Sequence, residues 1–151
     1  MITLIKTDSK NQDFTHLVKH LNADLAIRDG DEHAFYDQFN KIDSIKHVII
    51  AYEHDKPVGC GAFKKYDTRI VEIKRMYVPP KNRGKGVASK ILTKLEHWAI
   101  ELGYKKCILE TGKRQPEAIA LYKKLGYKII PNYPPYTHAE NSFCFEKHLI
   151  S

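Results

Sequence analysis

Apolar positions recur along the chain in two rhythms, and their order predicts the architecture. Residues 2–5 form a short apolar run that reads as a first strand. From 12 to 39 the rhythm is helical but interrupted. Phe14, Leu17, Val18 and Leu21 make one stripe at three- and four-residue steps, Arg28-Asp29-Gly30-Asp31 breaks it, and 33–39 reads as a second short helix. Residues 45–53, 57–65 and 70–78 are dense in β-branched and aromatic side chains. His54-Asp55-Lys56 and Tyr66-Asp67-Thr68 separate them as turns, which predicts an antiparallel three-strand meander. Gly59 and Gly61, inside the second of these strands, imply a bulge or a close approach of neighbouring chain.

Pro79-Pro80 stops the third strand, since proline offers no ladder N–H. Ala88, Ile91, Leu92, Leu95, Trp98, Ala99 and Leu102 then mark a long amphipathic helix, with Gly103 where a C-terminal cap belongs. Residues 105–110 read as a strand. A connection through a helix of about four turns favours parallel pairing in a right-handed crossover. Gln115-Pro116 opens a further helix with Ala118, Leu121, Tyr122 and Leu125 on one face, and Gly126 ends it. Residues 127–130 and 142–148 read as the last strands, joined by the proline-stiffened loop Pro131-Asn132-Tyr133-Pro134-Pro135-Tyr136. With no repeat, linker or low-complexity run, residues 1–151 are expected to form one domain. Its class is α/β with a mixed sheet: a meander, a β-α-β unit and C-terminal strands.

The chemistry concentrates in the turn before the long helix, Lys81-Asn82-Arg83-Gly84-Lys85-Gly86-Val87-Ala88. Its glycines allow positive φ and close backbone approach to a ligand. The helix that starts there adds unpaired N–H groups and the positive end of its dipole. Arg83 and Lys85 add charge, so the turn is an anion cradle suited to a pyrophosphate. Neither the Walker A pattern nor the dinucleotide Gly-x-Gly-x-x-Gly fits these residues. A basic surface turn capped by glycine is the plainer alternative.

Composition narrows the rest. The net charge of +7 suits an anionic ligand or partner, although the lysines are spread along the chain as on a solvated surface. Three cysteines, Cys60, Cys107 and Cys144, lie far apart in apolar contexts and read as buried free thiols in a reducing compartment. The first ten residues carry no signal-peptide core, and no apolar run approaches membrane-spanning length, so the expectation is a cytoplasmic protein without a membrane partner.

Arg83-Gly84-Lys85-Gly86-Val87-Ala88 resembles the pyrophosphate motif Gln/Arg-x-x-Gly-x-Gly/Ala of the GNAT superfamily, the acyl-CoA-dependent N-acetyltransferases. Residues 115–127 resemble its later segment Asn-x-x-Ala-x-x-Leu-Tyr-x-x-x-Gly-Phe/Tyr, with Gln115 where the family usually has asparagine. The element order resembles the GNAT fold over nearly the whole chain.

The resemblance implies that acetyl-CoA lies in a wedge between the strands ending near Val78 and Glu110, with no metal. Met76 and Val78 would meet the pantetheine arm, and the N–H groups of Arg83, Gly84, Lys85, Gly86, Val87 and Ala88 the pyrophosphate, aided by the Arg83 and Lys85 side chains. Gln115 and Tyr122 would also touch the cosubstrate. Glu72 matches a strand glutamate that serves as general base in some members, and Tyr122 a tyrosine that often protonates the leaving thiolate. The alternative for each is structural, an ion pair for Glu72 and packing for Tyr122. Arg28, Asp29, Tyr36, Tyr133 and Tyr136 are the expected acceptor contacts, in segments that would overhang the wedge.

The implied activity is transfer of an acetyl group to a primary amine of a small molecule by direct attack in a ternary complex. Alternatives are a protein or tRNA-linked amine on the same fold, or a non-catalytic acyl-CoA or nucleic-acid binding module. No helix-turn-helix, zinc-finger or RNP-type pattern supports the last. Many members of the family are dimers, so a homodimer is an open expectation.

Overall fold

The computed structural model describes residues 1–29 and 45–150. Seven strands form one mixed sheet in the order β1-β2-β3-β4-β5-β7-β6. They are β1 (Ile2–Thr7), β2 (His47–Glu53), β3 (Lys56–Lys65), β4 (Ile70–Tyr77), β5 (Lys106–Gly112), β6 (Lys128–Ile130) and β7 (Ser142–His148). Among the described residues three α-helices join them, α1 (Gln12–Asp29), α2 (Val87–Glu101) and α3 (Pro116–Lys124), with one 3-10 turn at Pro80–Asn82. The second short helix expected within 30–44 lies outside the described residues.

The first four strands are antiparallel neighbours, so the expected meander is present and β1 extends it. The β2–β3 turn is tight because His54 and Asp55 take positive φ of 52° and 63°, a conformation that short polar residues tolerate. β4 and β5 pair in parallel across α2, as the crossover argument requires. β7 inserts between β5 and β6, antiparallel to both.

Two apolar layers cover the sheet. On one face, Val87, Ile91, Leu92, Leu95 and Ala99 of α2 pack on Ile49, Phe63, Val71, Ile73 and Leu109. On the other, Phe14, Leu17, Val18 and Leu21 of α1, the stripe read from the sequence, pack on Val48, Ile50, Cys60 and Ala62. Both implications of the β3 glycines hold. The β3–β4 register shifts between Cys60 and Ala62, and a Cβ on Gly61 would collide with Met76 and Ile91 and sit 3.0 Å from Leu95.

The helical stripe of α2 differs from expectation at both ends. Val87 is already buried in the first turn, whereas Leu102 is the C-cap and 49% exposed. Glu96, which is not part of that stripe, is also buried and accepts hydrogen bonds from Tyr127 Oη (2.8 Å) and Lys147 Nζ (2.9 Å). A buried carboxylate is tolerated when it is paired and hydrogen-bonded in this way. Cys60, Cys107 and Cys144 are free and buried. Among the described residues no helix is long and apolar enough to cross a membrane.

Candidate active site

Two irregularities open the middle of the sheet. The parallel ladder of β4 and β5 runs only from Ile70–Lys106 to Glu72–Ile108, although β4 continues to Tyr77 and β5 to Gly112. Beyond that point β4 carries its bulge, where Arg75 takes a φ of 62° opposite the register shift of β3. A non-glycine residue at positive φ is costly and is held there by the surrounding structure. Two cavities flank this opening and share Leu21, Met76, Gln115 and Tyr122 in their walls.

The larger cavity, about 380 Å³, is bounded by the end of β4, the 3-10 turn, the start of α2 and one face of α3. Met76, Tyr77, Val78, Gly84, Gly86, Val87 and Ala88 line it. Gly84 and Gly86 have φ of 82° and 79°, and a Cβ on either would meet nothing within 4 Å. They are therefore required by backbone conformation and not by crowding of protein atoms. Gly86 is the N-cap of α2 and has no side chain to cap it, so the N–H groups of the first turn remain available to an anion. Asn82 adds a buried Oδ1 that accepts no hydrogen bond from a described residue. The first-turn N–H donors and this space fit a phosphate-bearing, elongated ligand.

The side chains at the cradle also engage partners within the protein. Arg83 lines the cavity, but its Nε donates to the Val78 carbonyl at 2.8 Å and its guanidinium lies 6.0 Å from the Tyr77 ring centroid. It straps the turn to the end of β4. Lys85 lines neither cavity and instead lies 3.5 Å from Glu53 Oε1. The positive φ of the glycines on either side turns the chain between them, and a half-buried carboxylate at the end of β2 receives the lysine.

The smaller cavity, about 90 Å³, is walled by Glu72, Ile73, Lys74 and Arg75 of β4, Glu110, Thr111 and Gly112 of β5, Leu21 and Leu25 of α1, Gln115, Tyr122 and Tyr136. Glu72 is 4% exposed. It accepts a hydrogen bond of 2.7 Å from Tyr133 Oη and lies 3.9 Å from Lys74 Nζ. Burial pulls the Lys74 ammonium below its ordinary pKa, and Glu72 partly restores it. Glu110 accepts a 2.7 Å hydrogen bond from Ser142 Oγ.

Tyr122 is buried where the two cavities meet, in contact with the rings of Tyr127 and Phe145 at 5.8 and 6.0 Å. Burial first, and then the Glu110 carboxylate, pushes its phenol far above the ordinary range. The phenol therefore keeps its proton at neutral pH and can donate it to a hydrogen bond.

The structure thus brings Glu72, Tyr122, Met76, Val78, Arg83, Gly84, Gly86, Val87, Ala88, Gln115 and Tyr136 to the two cavities. Tyr133 lines neither but reaches Glu72 directly, and its ring stands edge-on to Tyr66 and Tyr136. Arg28 and Asp29 fall in the last turn of α1, and Tyr36 lies outside the described residues. Sequence reasoning missed Asp24, Asn82, Ser89, Glu117 and Leu121 in the larger cavity and Lys74, Arg75 and Glu110 in the smaller. A bulge signal was available in Gly61, but it does not say which side chains of the opposite strand the bulge gathers. Among the described residues no group of His, Cys, Asp and Glu is placed to hold a metal ion.

Residues 14–127 match the model of the acetyltransferase (GNAT) family. The uncharacterized N-acetyltransferase YsnE of Bacillus subtilis is 36% identical over 101 residues, 66% of this chain and 67% of that protein. The chain spans half to two thirds of the length of the first curated relatives it matches. A Klebsiella pneumoniae structure named as an acyl-CoA N-acyltransferase superposes with a TM-score of 0.84 at 26% identity, covering 99% of both chains. A GNAT family acetyltransferase from Elizabethkingia anophelis with acetyl-CoA bound shares the fold, with a TM-score of 0.71 and 20% identity over 98% of both chains.

Proposed function

The chain belongs to the GNAT family of acetyltransferases, and on that premise we propose that it transfers an acetyl group from acetyl-CoA to a primary amine of a small molecule. The observation that carries this reading is the meeting of two unlike cavities at Met76, Gln115 and Tyr122. One has a glycine-rich helix start for an anion, and the other has a buried carboxylate for an amine. The neighbour with acetyl-CoA bound supports the choice of cosubstrate for the first.

When bound, the cosubstrate supplies an acetyl group activated as a thioester. The first-turn N–H groups of α2 hold its pyrophosphate, fixed before the ligand arrives. Met76 and Val78 meet the pantetheine arm along β4, where the parallel ladder has ended and strand edges are open to it. The backbone N–H near Met76 polarises the thioester carbonyl.

An amine is mostly protonated at neutral pH and must lose a proton to attack. Glu72 is the base, directly or through one water. Tyr133 holds its carboxylate in place by the 2.7 Å hydrogen bond. Tyr122 donates to the sulfur as it leaves. Both act on a ternary complex, and no cysteine carries the acetyl group, because each thiol is buried. Coenzyme A release measured with amines, polyamines, amino acids and peptides tests the reading. Absence of release with every acceptor, together with no acetyl-CoA binding, would sink it.

A further inference from the structure

The smaller cavity gathers charges of both signs. Glu72 and Glu110 face Lys74 and Arg75 around a space of about 90 Å³. The two cations are successive residues of one strand, at the bulge where Arg75 takes a φ of 62°. Side chains of successive residues in a regular strand would point to opposite faces. We propose that the acceptor is a small amine that carries its own carboxylate, an amino acid, with its amine toward Glu72 and its carboxylate toward Lys74 and Arg75. The inference rests on the acetyltransferase reading above and narrows its substrate class.

The reason is competition for Glu72. Lys74 Nζ lies 3.9 Å from Glu72 Oε1, and both side chains are almost fully buried, at 8% and 6% exposure. An incoming ammonium that takes Glu72 draws that carboxylate away from Lys74. Burial disfavours the Lys74 charge, and Glu72 is the first of the carboxylates, ahead of Glu110, that support it, so drawing Glu72 away weakens the support of a buried charge. A ligand carboxylate one carbon from its amine restores the pairing, because it brings the second charge to the place where the lysine loses the first. A polyamine brings only positive charge to a wall that already balances two carboxylates with two cations, on a protein of net charge +7. The planar guanidinium of Arg75 suits a carboxylate by its two-pronged geometry.

The step balances without another reactant. One N–C bond forms and the C–S bond breaks. Of the two protons lost by the ammonium, one leaves through Glu72 to solvent, and the thiol retains the equivalent of the other through Tyr122.

Matched acceptors test the inference: each common amino acid, its carboxamide and its decarboxylated amine, plus putrescine and spermidine, at saturating acetyl-CoA. At least one amino acid should exceed its own carboxamide and amine in kcat/KM by about tenfold or more, as a hydrogen-bonded charge pair allows. Arg75→Gln and Lys74→Met should narrow that ratio through a higher KM for the acid, and Arg75→Lys should narrow it less. The wild-type comparison stands even if a variant fails to fold. An amide, simple amine or polyamine used as well as the best amino acid overturns the inference but not the acetyltransferase reading. Acetyl-CoA binding without turnover of any amino acid also overturns the inference alone. Absent acetyl-CoA binding by calorimetry overturns both.

Discussion

Tyr133 donates a 2.7 Å hydrogen bond to Glu72 across 61 residues of sequence, from the C-terminal loop to the opening of the sheet. Its burial and the nearby Glu72 carboxylate hold the phenol well above its ordinary pKa, so it stays a donor. The loop that carries it is tied down separately, because Asn132 Nδ2 donates to the carbonyls of Ala139 and Ser142 at 3.1 and 3.2 Å. The contact therefore fixes the orientation of the proposed base. Tyr133, an expected acceptor contact, lines neither cavity and reaches Glu72 directly.

Two substitutions separate the base from its support. Glu72→Gln keeps the shape and removes the proton acceptor, so its loss should fall within the ~10²–10⁴ of a positioned base and shrink as pH rises and more amine is deprotonated. Tyr133→Phe should slow turnover by less, with acetyl-CoA affinity unchanged, because the carboxylate remains but is no longer held. Equal losses at every pH in Glu72→Gln would leave only a structural role for the carboxylate.

At the cradle, Gly86→Val should abolish acetyl-CoA binding. Its φ of 79° is one that β-branched residues resist, and its Cβ would project where no protein atom lies within 4 Å. The backbone cost is of order 1–3 kcal/mol, so circular dichroism and a melting curve should be run beside calorimetry. Arg83→Ala should weaken binding less and loosen the turn, since its Nε bond to the Val78 carbonyl goes with it. Calorimetric affinity unchanged in Gly86→Val would remove the first turn of α2 from the cosubstrate site.

These two cases show what a sequence can and cannot reveal. Gly86 was legible because a helix rhythm starts beside it and only glycine sits comfortably at that φ, a local property. The strands and the parallel crossover were legible for the same reason, through period and connection length. Lys85 was not, because Glu53, which receives it, comes from another strand. The burial of Glu96 was not legible for a similar cause. Tyr127 and Lys147, distant in sequence, supply the partners that let its carboxylate be buried. Lys74 and Arg75 depend on a bulge whose consequence for side-chain direction no composition rule supplies.

The cysteines make a prediction in pH. Burial pushes the Cys60 and Cys107 thiols up from 9.0 to about 12 and Cys144 up to about 11. An acid whose folded pKa lies above its unfolded value contributes stability that is full below the unfolded value and is lost as pH rises through the folded one. Stability in urea should therefore decline from about pH 9 toward 12, and Cys60→Ala should flatten that decline. At pH 8 a thiol reagent should label the native protein only at its opening rate. Cys107→Ala and Cys144→Ala should keep acyl transfer, and its loss in a folded variant would point to an acyl-enzyme instead.

Tyr122 offers the sharpest test of the proposed chemistry, because its environment and its role make opposite demands. Its ring is packed against Tyr127 and Phe145, so Tyr122→Phe should melt close to the wild type and bind acetyl-CoA as tightly. Tyr122 lines both cavities, so turnover should fall by ~10²–10⁴ if its hydroxyl donates to the leaving sulfur. Mispacking and lost donation then part company in their response to the leaving group. A thioester whose thiol has a lower pKa needs less help to depart, so the loss in Tyr122→Phe should be smaller with it than with acetyl-CoA. A packing defect would slow both thioesters alike. Full turnover of acetyl-CoA by Tyr122→Phe would transfer the donor role to water or another residue. A loss independent of thiol pKa would reduce Tyr122 to a wall between the two cavities.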